Sequence, residues 1–451
     1  MSQTYLSSPE AEVRPKAIPA NILPEEDTDL TRDDVKVMAL SSLGGALEFY
    51  DFVIYVFFAR IISELFFGAA ASSFVALMES FAVFAIGYLF RPLGGIIFSH
   101  FGDKKGRKNM FALCIFLMAV PTFLMGCLPT YAQIGVWAPI LLCVMRCMQG
   151  MAVGGEIPGA CVFVAEHVGK RYKGLSCSAL FCGLYLGMLL GSLVATITTK
   201  AMPEASLMSW GWRIPFLLGG VLGVVGILLQ RHLEETPIFK QMHASEATHS
   251  FPIKTVLKNH KKEIAQSMVL TWMLAAVVVV FFLTMPTFLE VNLNYKAGNL
   301  LAINSFGILL FSFSVLGFGA LSDRVGRRKL FLIMSALLAV VCYPAFTLFQ
   351  AHETWSTIGA YTLLSVIGGF IGIVPVTLTE MFPARIRFTG FSFGYNLSYA
   401  ILGGLTPLVC TTLIQVLDNP LAPAFYIIGV CVIAFCTMFF MKETKDINLH
   451  H

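Results

Sequence analysis

HFGDKKGRKN, residues 100–109, and GALSDRVGRRKLF, residues 319–331, set the same order, D-x-x-G-R-[KR], at Asp103 and at Asp323. Both copies stand between long apolar runs of a 451-residue chain that is 57% hydrophobic and only 13% charged. A second pair of stretches repeats in the same register: AEHVGKRYKG around Glu166 and TEMFPARIRFTG around Glu380. Charged loops that recur at matching places among apolar runs are what a duplicated helical membrane unit leaves in a sequence.

A mean hydropathy of +0.75 places the bulk of the chain in lipid rather than water, and each crossing requires roughly 20 mainly apolar residues. Apolar runs that meet this demand fall at 36–60, 75–100, 109–128, 136–165, 174–199, 210–230, 264–289, 298–321, 330–350, 356–381, 390–416 and 421–441. The stretch RHLEETPIFKQMHASEATHSFPIKTVLKNHKKE between the sixth and seventh is too polar to cross. The expected fold is all-α, with twelve transmembrane helices in two pseudo-symmetric six-helix bundles. The expected organisation is a tail over 1–34, a bundle over 35–231, a linker over 232–262, a bundle over 263–441 and a tail over 442–451.

Short loops rich in Lys and Arg stay cytoplasmic. Lys104, Lys105, Arg107 and Lys108, then Lys170, Arg171 and Lys173, then Arg324, Arg327, Arg328 and Lys329, then Arg385 and Arg387 lie in loops on one side. The opposite loops hold only Lys200, Lys296 and the borderline Arg60. Both termini are therefore expected in the cytosol, with the protein in a cell membrane, the inner membrane if bacterial. The acidic first 34 residues lack a basic start followed by an apolar run and do not read as a signal peptide. All eleven cysteines sit in apolar runs without metal-ligand spacing, so they read as reduced packing residues and no metal or cofactor is expected. The net charge of +4 gives nucleic-acid binding no support. The expected partners are a small solute, protons and the bilayer, and the expected working unit is a monomer.

Over nearly its whole length the chain resembles the major facilitator superfamily. GDKKGRK and GALSDRVGRRK are similar to that superfamily's gating loops, although Ser99 stands where a Gly usually precedes the Asp by four. RCMQGMAVGGE, Arg146 to Glu156, is similar to its fourth-helix R-x-x-x-G element. LEFYDF (47–52), FRPLGG (90–95), WGWRIPFLLGG (210–220), LEETPIF (233–239) and FSFGYNLSYAILGGLTPLV (391–409) resemble one branch, the metabolite-proton symporters. That branch takes dicarboxylates, citrate, shikimate, proline and betaine. The resemblance implies weight on Arg91 and Arg213 in binding a substrate, and on Arg146 in proton transfer.

The repeated loops read as a gate. Gly106 and Gly326 permit a tight turn with positive φ. A carboxylate at Asp103 would bind the positive N-terminal end of a neighbouring helix while Arg107 reaches Glu166, and Asp323, Arg327 and Glu380 would act alike in the second half. Such contacts weight one side of an alternating-access equilibrium. Lys104, Lys105, Lys108, Arg328 and Lys329 read instead as topology anchors against anionic lipid.

Ionisable groups inside a span are costly and mark function. They gather in the first half: Glu48 and Asp51 on the first span, Arg91 on the second, Arg146 and Glu156 on the fourth. Glu48 and Asp51, three residues apart on nearly one face, would repel one another out of water, which favours retention of a proton, as a proton carrier requires. Arg91 lies about 18 Å from the cytosolic end of its helix at 1.5 Å per residue. There its planar fork suits a carboxylate. Glu156 serves either as a proton site or as the partner of Arg146 or Arg91. Arg213 is either a binding residue or an interfacial anchor beside Trp210 and Trp212. Tyr50, Asn304, Tyr395, Asn396 and Tyr399 would complete a cavity with hydrogen bonds and aromatic faces suited to a quaternary ammonium. Gly403, Gly404 and Pro407 would let the eleventh span bend.

These features point to a secondary transporter that couples protons to uptake of a small organic acid or zwitterion. A proton-coupled antiporter that exports a small metabolite or drug uses the same physics. A nucleotide-driven pump is disfavoured, since no G-x-x-x-x-G-K-[ST] loop occurs. A membrane receptor or sensor would need a larger ordered cytosolic part. An enzyme would need a nucleophile-base pair or metal cluster, which the sequence does not suggest.

Overall fold

The computed structural model describes residues 30–67, 73–105, 107–168, 170–230, 253–383 and 386–447, and every regular element among them is helical. Twelve principal helices follow one another. They are α1 (Arg32–Phe57), α2 (Ser73–Leu89 and Arg91–Lys105), α3 (Arg107–Cys127), α4 (Trp137–His167), α5 (Lys173–Ala201) and α6 (Arg213–Gln230). The second six are α7 (Lys261–Leu293), α8 (Ala297–Val325), α9 (Arg327–Thr347), α10 (Thr354–Met381), α11 (Arg387–Leu417) and α12 (Ala422–Phe439). Ten helices are long and apolar enough to cross a membrane, and Glu204–Gly211 with Arg213–Gly226 makes an eleventh as a bent pair. The remaining expected span, α3, has a shorter apolar part at Leu113–Cys127.

α1 starts at Arg32, earlier than the sequence expectation. The Thr31 side chain accepts the Asp34 N–H at 3.1 Å while Asp34 accepts the Thr31 N–H at 2.9 Å. This reciprocal cap satisfies two backbone donors and draws Asp33 and Asp34 into the first turn, where the helix dipole favours them.

Leu30 packs with Met38, Val164 and Val168, and Lys173 Nζ donates to the Ile447 carbonyl at 2.8 Å. Both ends of the described chain therefore lie at one end of the bundle, called here the terminal end. The most apolar parts of α7 and α10 are 83% buried, against 39% for α9 and 44% for α12. This contrast puts α7 and α10 in the interior and leaves Val340 and Phe440 on an outer surface suited to lipid. α5 lies along α1 of its own half and α8 of the other, and α11 packs on α2 and α4. These contacts make the seam between the halves.

Two wide π turns interrupt the central helices, at Val279–Thr284 in α7 and at Tyr399–Gly403 in α11. Pro407 stands at the start of the helical segment after the second turn, where its missing N–H costs nothing. Gly403, Gly404 and Pro407, from which a bend is expected, lie within or just after this second turn, and π turns in helices gather at functional sites.

Candidate substrate and coupling site

α2 and α4 touch backbone to backbone. A Cβ at Gly150 would overlap the Gly87 carbonyl, and one at Gly154 would overlap the Arg91 carbonyl. Only glycine permits that approach, and it carries Arg91 to the seam facing α11.

There Arg91, 1% exposed, lies against three tyrosine rings. Its guanidinium carbon is 4.2 Å from the Tyr399 centroid and 5.4 Å from those of Tyr88 and Tyr395. Tyr88 and Tyr399 stack across the seam at 5.4 Å with planes 8° apart, and Tyr395 lies 4.9 Å from Tyr399. Nε and Nη2 of Arg91 have no hydrogen-bond partner, and no carboxylate lies within ion-pair distance, among the described residues. A buried cation held by ring faces and a side-chain hydrogen bond to Tyr395, with Nε and Nη2 unpaired, is poised for an anion.

Glu48 and Glu156 adjoin one another, from α1 and α4, with Arg91 within electrostatic reach of Glu48. Both are buried, at 4% and 6% exposed. Glu156 thus stands beside Glu48 rather than pairing with Arg146. Asp51 keeps Glu48 within electrostatic reach, as their spacing suggests, and also faces α3 and α6: the nearest atoms to a Cβ on Gly219 would be Asp51 Oδ1 and the Thr122 methyl. Tyr50 also faces α6, donating to the Pro215 carbonyl at 2.8 Å.

Arg146 is fully buried, donating from Nη1 to the Phe52 carbonyl (3.1 Å) and Gln149 Oε1 (2.8 Å), with its guanidinium carbon 4.4 Å from the Phe52 ring and 4.7 Å from Tyr55. All these partners belong to its own half. Arg213 caps the end of α3 by donating to the Gly126 and Leu128 carbonyls, both at 2.8 Å, and lies on Trp212. Asn304 bonds the Phe282 carbonyl (3.1 Å) and Ser192 Oγ (3.4 Å), joining α8 to α7 and α5. Asn396 donates to the Gly154 carbonyl at 2.7 Å, so it does join the Arg91 neighbourhood.

At the terminal end the second charged loop is closed. Asp323 accepts from the Gly174 N–H at 2.8 Å and the Leu175 N–H at 2.9 Å, at the start of α5. Arg327 Nη2 lies 2.8 Å from Asp323 and 3.1 Å from Glu380. Gly326 has φ +104°, the left-handed turn expected from its position. Gly106 and the side chains of Asp103 and Arg107 lie outside the described residues. Glu166 pairs across the seam with Arg387, and Glu380 has Lys173 of the first half within electrostatic reach. The two echoed stretches therefore exchange partners, each acid meeting the base seven residues along in the other copy. The residues after α12 take part as well. Glu443 accepts the Arg327 N–H at 2.8 Å and the Arg328 N–H at 3.1 Å, and Thr444 Oγ1 donates to Glu380 at 2.7 Å. At the far end Arg60 pairs with Glu290 across the seam and with Glu64 and Glu204 in its own half.

Sequence reasoning missed Tyr88, Tyr185, Arg387, Glu443 and Thr444. Arg387 was within reach, since it lies in the TEMFPARIRFTG echo. The tyrosines carried no pattern that separates a ring at a seam from a ring in a core.

The chain is 36% identical over 423 residues to the proline/betaine transporter of Escherichia coli (strain K12), covering 91% of this chain and 84% of that one. It is 34% identical over 426 residues to the glycine betaine/proline/ectoine/pipecolic acid transporter OusA of Dickeya dadantii (strain 3937), with the same coverage. Its fold is similar to a crystal structure of the D-xylose-proton symporter, with a TM-score of 0.72 at 17% identity over 92% of this chain and 99% of that one. An inward-open xylose transporter XylE from E. coli gives 0.70 at 15% identity over 92% of this chain and 98% of that one. Residues 37–451 match the family described as sugar (and other) transporters. The chain is a multi-pass membrane protein of the major facilitator fold, and it belongs to this transporter family.

Proposed function

We propose that the protein takes up a small carboxylate-bearing zwitterion of the proline or betaine type together with protons. The two halves, 35–231 and 263–441, rock about the Arg91 site in a bacterial inner membrane, with both termini cytosolic. The observation that carries this reading is the buried Arg91 guanidinium, free of any carboxylate partner among the described residues, beside the adjoining Glu48 and Glu156.

Arg91 lies within electrostatic reach of Glu48. A substrate carboxylate that takes Arg91 offsets that positive charge, so the pair holds a proton more readily while substrate is bound. By reciprocity a proton on the pair favours substrate to the same degree. Proton and anion then travel together. Release of both weakens the link between the halves, and the Asp323 and Glu166 contacts would form or break as the cytosolic side closes or opens. Since both halves of one chain complete the site, we take the monomer as the working unit. Arg146, tied to its own half, supports α1 against α4. The relatives named above support the choice of proline and betaine over di- and tricarboxylates.

The test uses proteoliposomes with an inward proton gradient. Accumulation of labelled proline or betaine above its equilibrium level, abolished by a protonophore, is expected. Proton release upon substrate addition would identify an antiporter instead and overturn the reading.

A further inference from the structure

Tyr185 of α5 lies beside the same cluster. It is 2% exposed, its ring centroid stands 4.8 Å from Phe311 of α8, and its hydroxyl has no hydrogen-bond partner among the described residues. Tyr88, Tyr395 and Tyr399 are within electrostatic reach of it. Four buried tyrosines, two from each half, thus gather at the seam, and the Arg91 guanidinium lies on the rings of three of them, Tyr88, Tyr395 and Tyr399.

This differs from the setting of Arg146. That guanidinium also lies on aromatic rings, but a backbone carbonyl and Gln149 hold it, and all its partners move as one body. Arg91 has ring faces from both halves and two unpaired nitrogens, Nε and Nη2. A cation bound by faces that belong to different halves can be exchanged for another cation without breaking a hydrogen bond to the backbone.

We propose that Tyr88, Tyr395 and Tyr399 form a cation cage that Arg91 fills as a tethered placeholder, that Tyr185 beside them closes the cage on a ligand, and that a zwitterion with a fully alkylated ammonium enters by exchange. The ammonium takes the ring faces, and the displaced guanidinium turns its free N–H groups to the carboxylate one or two carbons away. The cage rests on the transport reading above and adds a chemical rule to it: both charges of the ligand are needed, at short spacing. A ring face attracts an alkylated ammonium through its quadrupole, whereas an uncharged isostere gains contact area alone. Tyr185 and Tyr88 become specificity residues, and a hydroxyl left unpaired in the placeholder state faces the incoming ligand.

The experiment measures uptake of labelled trimethylglycine by the full-length protein in proteoliposomes, with two competitors. One is 3,3-dimethylbutanoate, which has the same shape and carboxylate but no positive charge. The other is tetramethylammonium, which has the charge alone. Unlabelled trimethylglycine should compete at least about tenfold better than either, the size of a desolvated cation–π contact. Tyr399→Leu and Tyr185→Leu should each shrink the preference over 3,3-dimethylbutanoate to about threefold or less, while Tyr399→Phe keeps it. A loss of folding is excluded by counterflow of trimethylglycine at saturating concentration in the same vesicles. If trimethylglycine is taken up but the neutral isostere competes equally, or the Leu variants weaken both ligands by one factor, the cage is wrong and the transport reading stands. If the wild type takes up no trimethylglycine, both fail.

Discussion

The Asp323 carboxylate accepts the Gly174 N–H at 2.8 Å, joining the end of α8 in one half to the first turn of α5 in the other. The contact places a negative charge on the positive end of a helix, an arrangement worth up to about 2 kcal/mol when partly buried. Asp323→Asn keeps the shape and removes the charge. It should speed hydrogen exchange over residues 173–180 by roughly 5- to 30-fold. Unchanged exchange would remove Asp323 from the closed terminal end.

Glu166 and Arg387 form a pair between the halves, with the acid part-exposed and the base buried. Glu166→Arg should lower uptake, and the reversed pair Glu166→Arg with Arg387→Glu should recover most of it. A double-mutant coupling of about 0.5–3 kcal/mol in thermal unfolding is expected for groups in direct contact. Strict additivity would mean that the two do not act together.

Glu48 and Glu156 are the adjoining carboxyls of the site. Glu48→Gln and Glu156→Gln should each cut gradient-driven accumulation about tenfold or more, the equivalent of 1.4 kcal/mol. Substrate counterflow, which needs no net proton movement, should persist. In the wild type, accumulation should fall as external pH rises and the pair empties. Asp51→Asn, set against Gly219, should leave that pH response in place, and a response that vanished there would shift proton coupling to Asp51.

Arg60 holds the far end through an acid in the other half, but at 39% side-chain exposure it is open to water and salt. The Arg327 network at the terminal end is only 1% exposed at the arginine. Raising ionic strength should therefore loosen the far end first. Labelling of residues near Arg60 should increase with salt while exchange over residues 173–180 stays constant.

Gly150→Ala would drive a methyl into the Gly87 carbonyl, where backbone cannot yield without parting α2 from α4. A loss of about 1–3 kcal/mol or more is expected from such overpacking. Gly317→Ala, in open space, should be neutral or better by comparison. Thermal unfolding in detergent reads both.

The fold was legible because bilayer length and the duplicated loops act on sequence directly: Asp323, Gly326, Arg327 and Glu380 meet as their spacing predicted. The burial of Arg91 and Glu48 agrees with their place well inside their spans. Rotation about each helix was not legible. Glu48 and Asp51 stay within electrostatic reach, as their spacing suggests, but the further meetings of Glu48 with Glu156 and of Asp51 with Gly219 depend on the glycine contacts that set how α1, α4 and α6 pack, which are tertiary. Arg213 kept two readings at sequence level because an interfacial cap and a ligand grip require the same residue. The exchange of partners between Glu166 and Arg387 depends on the halves facing each other, which no local pattern states.

The strand of chain after α12 ties back to the body at Glu443, Thr444, Lys445 and Ile447. Those anchors belong to both halves, since Lys173 holds Ile447 and Arg327 holds Glu443. Any rocking must stretch or shed this short tether, so a fluorophore placed just beyond Ile447 would ride on the stroke and register each cycle. A bulky fusion there would act as a brake.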